Sequence, residues 1–404
     1  MATAPLRVAS LALTLTFCNG CSSKQEAAAA CAPAMTGAAP SGFADGASTA
    51  KGLAFAVVDL QYTSSRLLYN DLATGELMTV LTAESGDPAL FAHDGKLVFF
   101  NRASDRRNFK ILDPCSADFA GASEVATPAA GLGDPAALLS LSPDQALVAH
   151  YDAGKLLVMN MADGSVAQDV SAAWDFSGAT KAQLRPVALL AVGDTTIYAL
   201  HQGRNDDDFQ TLNGTQQIFV LKRGENGEMT VADQDATAPG VQGIKLPLSN
   251  PGRMMVGEAG KVIVAGQCTL WDSACTAGFV EVDVATGAVT TLFDMSTQPF
   301  KGNGGVTPGR HSEFYALTVT GTADAPGAMA VTAVNLTTQT TSTLHEFPAE
   351  SAGCCALYHD STSHAVWVGD RTADGRGFFS IYKDGAIVGR VDLEAVPYSG
   401  LFLP

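Results

Sequence analysis

Positive charge is scarce in this chain: 24 Lys and Arg stand against 41 Asp and Glu over 404 residues, a formal net charge of −17. A nucleic-acid partner needs a dense basic stripe, and none occurs, so that class is excluded. Long apolar runs are missing too; no segment approaches the ~20 apolar residues of a membrane-spanning helix. Neither a GxSxG elbow, a Walker loop nor an HExxH helix is present, which removes the motif-borne hydrolases, nucleotide-binding proteins and zinc proteases. The cysteines lack a paired CxxC spacing and no HxxxH run supports them, so a metal centre has no sequence basis. Tryptophan is found only at 174, 271 and 367.

The isolated matches carry little. Ser48-Thr-Ala-Lys51 fits SxxK, but that chemistry needs a helix to bring the lysine to the serine, and the stretch is Ala, Gly and Ser coil. Asp206-Asp207-Asp208 offers oxygen ligands without the spacing of a calcium loop and reads as a solvated acidic loop. The seven histidines, at 93, 150, 201, 311, 345, 359 and 364, are scattered along the chain.

What is abundant is glycine, 40 residues of it, and much of it punctuates a repeated phrase. An apolar run reaches an Asn or Asp and then a turn ending in Gly: Leu68 to Gly75, Leu157 to Gly164, Val280 to Gly287, and a decayed copy from Val334 to Gln339. Alternating apolar residues feeding a Gly-terminated turn describe a strand entering a hairpin. A second register precedes it. Anchored on Leu53, Leu97, Leu147, Ile197, Val262, Phe314 and Val366, it advances by 44, 50, 50, 65, 52 and 52 residues.

Steps of roughly 40 to 50 residues are those of four-stranded propeller blades. The chain therefore predicts an all-β fold, a seven-bladed β-propeller of four-stranded antiparallel blades. The 65-residue step, with Val241 to Leu248 inside it, leaves six or eight blades open. A further strand precedes each anchor except the first, and Tyr398 to Pro404 supplies the missing copy. The C-terminal strand is thus expected to complete the first blade and close the ring.

The N-terminus sets the expected compartment. Arg7 and the mostly apolar Val8 to Phe17 form a secretory leader, followed by Gly20-Cys21-Ser22-Ser23. That ending resembles the lipobox of bacterial lipoproteins, with Cys18 where Leu is usual. The resemblance implies cleavage before Cys21, lipidation of Cys21, and, from Ser22, sorting to the outer membrane, facing periplasm or cell surface. The organisation is then a signal peptide at 1–20, an Ala/Gly/Ser/Pro tether at 21–50 and the propeller at 51–404. An ordinary cleaved signal peptide with a soluble product is the competing reading.

Six cysteines remain after Cys18 and Cys21, an even number suited to an oxidising compartment. Cys268 and Cys275 end one loop and form the safest pair. Cys354 and Cys355 are adjacent, and Cys31 with Cys115 would make the third pair, although six cysteines permit fifteen connectivities.

The hairpin phrases Asn70 to Gly75 and Asp283 to Gly287, with the strand cadence, resemble bacterial β-propellers of the YVTN and quinoprotein-like (WD40-like) type. The resemblance spans roughly residues 50–404 and speaks to fold more than function. Quinoprotein dehydrogenases of this group carry a Trp docking motif, an adjacent Cys-Cys and usually eight blades. Cys354-Cys355 matches one element; the Trp motif and the eighth blade are missing.

Turns between first and second strands, and between third and fourth, are short. The long connections (102–108, 201–216, 267–278, 321–327, 370–377, and the inter-blade stretches near Trp174, at 239–251 and at 300–310) all belong to the other class. In an alternating blade they emerge on one face, where recognition resides. Strand starts on that face should bring Asp87, Asp134, Arg185, Asn250, Arg310 and His311, with Cys354-Cys355, to the channel mouth. Arg185 and Arg310 would there favour an anion, unless these residues merely cap strand ends and pair with nearby carboxylates. The expected function is a non-catalytic, monomeric outer-membrane lipoprotein without cofactor. It would bind an envelope protein or small anionic ligand through this face and touch the membrane only through its lipid. The alternative is a periplasmic propeller enzyme, lactonase-like or a quinone-dependent dehydrogenase, with its site in the axial funnel.

Overall fold

The computed structural model describes residues 52–403, apart from 60–62, 84–85, 102–107, 115–118, 120–122, 127–133, 174–183, 205–211, 213, 239, 269–274, 310–311, 322–325, 348–355, 361–362 and 373. The leader, the tether, and Cys21, Cys31, Cys115, Cys354 and Cys355 lie outside the described residues.

Seven antiparallel sheets form a ring, and each is a blade. From the axis outward, blade 1 is Val396–Leu403, Gly52–Val58, Ser65–Asp71 and Leu77–Ala83. Blade 2 is Pro88–His93, Lys96–Asn101, Asn108–Leu112 and Ser123–Ala126. Blade 3 runs Pro135–Ser142, Gln145–His150, Lys155–Asn160 and Val166–Asp169. Blade 4 runs Pro186–Val192, Thr196–His201, Gln217–Arg223 and Met229–Ala232. Blade 5 comprises Pro251–Val256, Val262–Gly266, Gly278–Asp283 and Ala288–Asp294. Blade 6 comprises Lys301–Pro308, Glu313–Gly321, Pro326–Asn335 and Thr340–Glu346, and blade 7 Leu357–Asp360, Ala365–Arg371, Gly377–Lys383 and Ala386–Asp392. Every second strand contains its sequence anchor. Helix among the described residues amounts to short 3₁₀ turns such as Glu258–Gly260 and Met295–Thr297 and one α-helical residue, Leu184.

Strand composition follows position in the blade. Gly52–Val58 is buried along its whole length because blades cover both of its faces, so it reads as continuous apolar sequence rather than alternating. Leu53, Phe55 and Val57 pack toward blade 7, Ala54 and Ala56 toward blade 2. The core is therefore not one cluster. Seven apolar clusters each bridge one pair of neighbouring blades, all the way round. Outer strands such as Leu77–Ala83 alternate exposed and half-buried positions, as a strand with one solvated face must.

Ring closure joins the two ends of the chain. Val396–Leu403 pairs antiparallel with Gly52–Val58, from Val58 opposite Val396 to Gly52 opposite Leu403, with a register shift between Ala56 and Val57. The closure removes the edges that an open ring would expose. The 65-residue step holds no eighth blade; Ile244–Lys245 pairs with Gln217 and Ile218 of blade 4, beside Met229–Ala232 on the same edge.

The blade 6 inner strand, Lys301–Pro308, starts ahead of its apolar Val306. The glycine-rich start, Gly302 to Gly305, carries no apolar signal, and the strand accommodates it by a register shift between Gly302 and Val306.

Candidate functional site

The turns between first and second and between third and fourth strands share one face, the turn face; the opposite one is the loop face. The inner strands of blades 2 to 5 all begin on the loop face at a proline, Pro88, Pro135, Pro186 and Pro251. An inner strand borders the channel, so its first residue needs no ladder N–H and proline is tolerated there.

In blades 3, 4 and 5 the residue before that proline, Asp134, Arg185 or Asn250, has φ of 58°, 50° and 42°. A register shift follows each proline. The left-handed residue turns its carbonyl back onto the end of the second strand: Tyr151 N–H donates to Asp134 at 2.9 Å, Gln202 to Arg185 at 3.1 Å and Gln267 to Asn250 at 3.4 Å. The same backbone knot thus recurs three times and sets three equivalent side chains, Tyr151, Gln202 and Gln267, around the mouth.

Two of them link blade 3 to blade 4. Tyr151 Oη donates to Gln202 Oε1 at 2.8 Å. The Arg185 guanidinium lies 4.8 Å above the Tyr151 ring and reaches Asp152 Oδ1 at 3.2 Å. Arg185 is buried, while the Asp152 carboxylate remains largely in water. Beneath this rim sit His150 and His201, both buried. Burial pushes the His201 imidazole down from 6.5 to about 3, keeping it neutral, and its ring meets Phe219 edge-on at 4.8 Å. Asp87 serves the closure, since Tyr398 Oη of blade 1 donates to its Oδ1 at 2.9 Å.

Asp87, Asp134, Arg185 and Asn250 therefore share the loop face. Arg310 and His311 lie outside the described residues. Cys268 and Cys275 are disulfide-bonded with Cα atoms 5.6 Å apart, at the ends of the second-to-third connection of blade 5.

Sequence reasoning missed Arg253. It is the third residue of the blade 5 inner strand, after Pro251 and Gly252. Met255 packs between blades 5 and 6 with Val306 and Phe314, so Arg253, two residues earlier, leaves the strand on that same face. Its Nε donates to the Val306 carbonyl at 3.3 Å, and the Tyr358 phenol of blade 7 lies within electrostatic reach. The side chain is surrounded by protein yet open to water, as a group standing in a channel is; this burial lowers its pKa from 12.5. Among the described residues no carboxylate pairs with it. The signal was a lone cation in an otherwise apolar strand, Arg253-Met-Met-Val.

Asp59 lines a cleft of about 370 Å³ between blades 1 and 7. Burial raises its pKa, but side-chain and backbone hydrogen bonds from Thr63 and Ser64 outweigh it and leave about 2. No group of three metal-ligating side chains occurs among the described residues, and no helix there is long and apolar enough to cross a membrane.

No protein-family model and no curated protein matches the chain. Solved structures do. The periplasmic gluconolactonase of Pseudomonas aeruginosa superposes with a TM-score of 0.57 at 16% identity, covering 87% of this chain and 99% of that one. A protein from Lactobacillus plantarum gives 0.56 at 15% identity over 88% and 100% of the two chains. A quinoprotein alcohol dehydrogenase-like protein from Bacteroides thetaiotaomicron gives 0.52 at 13% over 88% and 79%. At such identities the likeness establishes the fold: this is a seven-bladed propeller of the kind bacterial proteins of these names display.

Proposed function

We propose that this chain is an extracytoplasmic, non-catalytic binding propeller, tethered to the outer membrane through a lipid on Cys21, that engages an envelope protein or a small anionic ligand at its loop face. One observation supports the reading above others. The loop-face ends of blades 3 and 4 build one interlocked polar rim, Asp152–Arg185–Tyr151–Gln202, held by backbone in left-handed conformation. Such a rim presents groups in fixed geometry to a partner, which lowers the ordering cost of association. Rigid scaffolds carry recognition in this way.

The test compares faces. The full-length lipoprotein is used to capture partners from bacterial envelope extracts, alongside Tyr151→Ala with Gln202→Ala on the loop face and Glu225→Ala on the turn face of blade 4. A partner or ligand lost with the first pair and kept with the second supports the reading. Equal loss or equal retention overturns it.

The enzyme reading draws support from the names of the structural neighbours, a gluconolactonase and a quinoprotein dehydrogenase-like protein. Saturable hydrolysis of glucono-1,5-lactone, or quinone-dependent dye reduction by the purified protein, would replace the binding reading with that one.

A further inference from the structure

Going beyond the polar rim, we propose that the cleft between blades 1 and 7 is a second binding site on the loop face, for an aliphatic primary amine: a lysine side chain of a partner protein or a free alkylamine.

The cleft, of about 370 Å³, is walled by residues of the second-to-third connections of both blades and of the connection that leads into Val396–Leu403, all on the loop face. Asp59, Arg66, Asp374, Arg376 and Glu394 are its charged side chains. Arg66 is tied to Glu394 at 2.8 Å and Arg376 to Asp374 at 2.9 Å, so each cation already has a carboxylate. Asp59 remains, and among the described residues no cation pairs with it. Although burial raises its pKa, the hydrogen bonds from Thr63 and Ser64 keep it ionised well below neutral pH. The cleft thus carries one negative charge in excess, and the charge it attracts is a cation. Val57 and Ala395, members of the apolar cluster that bridges blades 1 and 7, also line it, so part of the wall suits a methylene stem.

Which cation fits is set by the lone pairs that Asp59 has left. Its Oδ2 accepts three hydrogen bonds, from Thr63 Oγ1 at 2.6 Å, Ser64 N–H at 2.8 Å and Ser64 Oγ at 2.7 Å. Its Oδ1 accepts one, from Thr63 N–H at 2.8 Å. A carboxylate oxygen offers about two acceptor sites, so Oδ2 is filled and Oδ1 keeps one open. A guanidinium grips a carboxylate with a fork that needs both oxygens, and that fork has no place here. An ammonium is a compact charge that needs a single acceptor. A quaternary ammonium has no N–H to give. The four local bonds also hold the carboxylate in place before any ligand arrives, which lowers the ordering cost of binding.

Titration calorimetry of the full chain at low ionic strength, with butylamine, butylguanidine, butyltrimethylammonium and sodium butyrate, varies the headgroup on a constant stem. Butylamine is expected to bind most tightly, butylguanidine and butyltrimethylammonium several-fold more weakly, and butyrate not at all. Asp59→Asn should weaken butylamine roughly tenfold or more, since the charge is lost. Thr63→Ala with Ser64→Ala removes two hydroxyl donors from Oδ2 and should bring butylguanidine level with butylamine. Butylamine failing to bind the wild type, butylguanidine binding it more tightly than butylamine, or butylamine binding that survives Asp59→Asn each overturns the site. Should Asp59→Asn not fold, the wild-type series and the double variant decide, and an unchanged preference for butylamine in the double variant overturns the assignment to Oδ1. Nα-acetyl-lysine amide separates the two sources: binding as tight as that of butylamine favours a partner's lysine, and binding of butylamine alone favours a free amine. Partner capture at the rim rests on Tyr151 and Gln202 and amine binding on Asp59, so each proposal can fail without the other.

Discussion

The two faces of the ring are made by the same repeats and reverse the chain by different physics. On the turn face the Asx reversals of blades 1, 5 and 6 satisfy their carboxylate or amide oxygen within the turn itself. Asp71 Oδ1 accepts from Ala73 and Thr74 N–H at 2.8 Å, Asp283 Oδ1 from Ala285 and Thr286 at 3.0 and 3.2 Å, and Asn335 Oδ1 from Thr337 and Thr338 at 3.0 and 2.9 Å. On the loop face the corresponding groups look to the next blade: Tyr151 of blade 3 needs Gln202 of blade 4, and Asp87 of blade 2 needs Tyr398 of blade 1. Turn-face substitutions should accordingly add, while loop-face substitutions should couple.

The largest test removes what both faces depend on. Deleting 396–404 takes away the inner strand of blade 1, its pairing with Gly52–Val58 and the Tyr398–Asp87 bond. The truncated chain is expected to lose its cooperative calorimetric transition and to aggregate through the freed edge. An unchanged melting temperature would show that closure contributes nothing.

Next comes acid. The folded protein holds His201 neutral to about pH 3, whereas an unfolded chain protonates it near 6.5. The unfolded state therefore binds more protons between those values, and stability declines as pH falls from about 6.5 toward about 3, by up to ~1.4 kcal/mol per pH unit. His201→Phe, which keeps a ring against Phe219, should flatten urea-derived stability against pH over that window. A slope as steep as wild type would place the acid sensitivity elsewhere.

How much of this was legible in sequence divides along the same line. The turn face was readable because Asx turns and left-handed glycines act within a few residues; Gly75, Gly164 and Gly287 have φ of 73°, 71° and 73°. Second strands were readable because burial on both faces demands an unbroken apolar run. The loop face was half readable: the apolar inner strands located the strand starts at Asp87, Asp134, Arg185 and Asn250, but nothing in the sequence near Tyr151 announces Gln202, 51 residues away. Arg253 was passed over because its meaning comes from Val306 and Tyr358, on other blades.

Coupling on the loop face gives the third test. Arg185→Ala removes a buried cation from the Tyr151 ring and from Asp152, which stays hydrated and so limits the loss to about 2 kcal/mol. Combining it with Gln202→Ala should give a double-mutant interaction of at least ~0.5 kcal/mol, because both act on Tyr151. Additivity in urea unfolding would dissolve the idea of a rim.

The smallest effect is on the turn face, where one position lets the two strategies be weighed against each other. Gly287 has φ of 73° and open space where a Cβ would stand, so Gly287→Ala should cost about 1 kcal/mol from backbone strain alone. The equivalent residue in blade 6 is Gln339, at φ 55°, which bears that strain natively. Its Nε2 donates at 2.7 Å to Leu336 in its own turn and at 2.7 Å to Leu292 of blade 5, a turn-face residue behaving as loop-face residues do. Gln339→Gly would relieve about 1 kcal/mol of strain and lose exposed hydrogen bonds worth roughly 0.5 to 1.5 kcal/mol each, so denaturant unfolding should shift by little in either direction. A gain as large as the Gly287→Ala loss would mean that the inter-blade bond contributes nothing, and a loss of that size would mean that even on this face the neighbouring blade outweighs the turn.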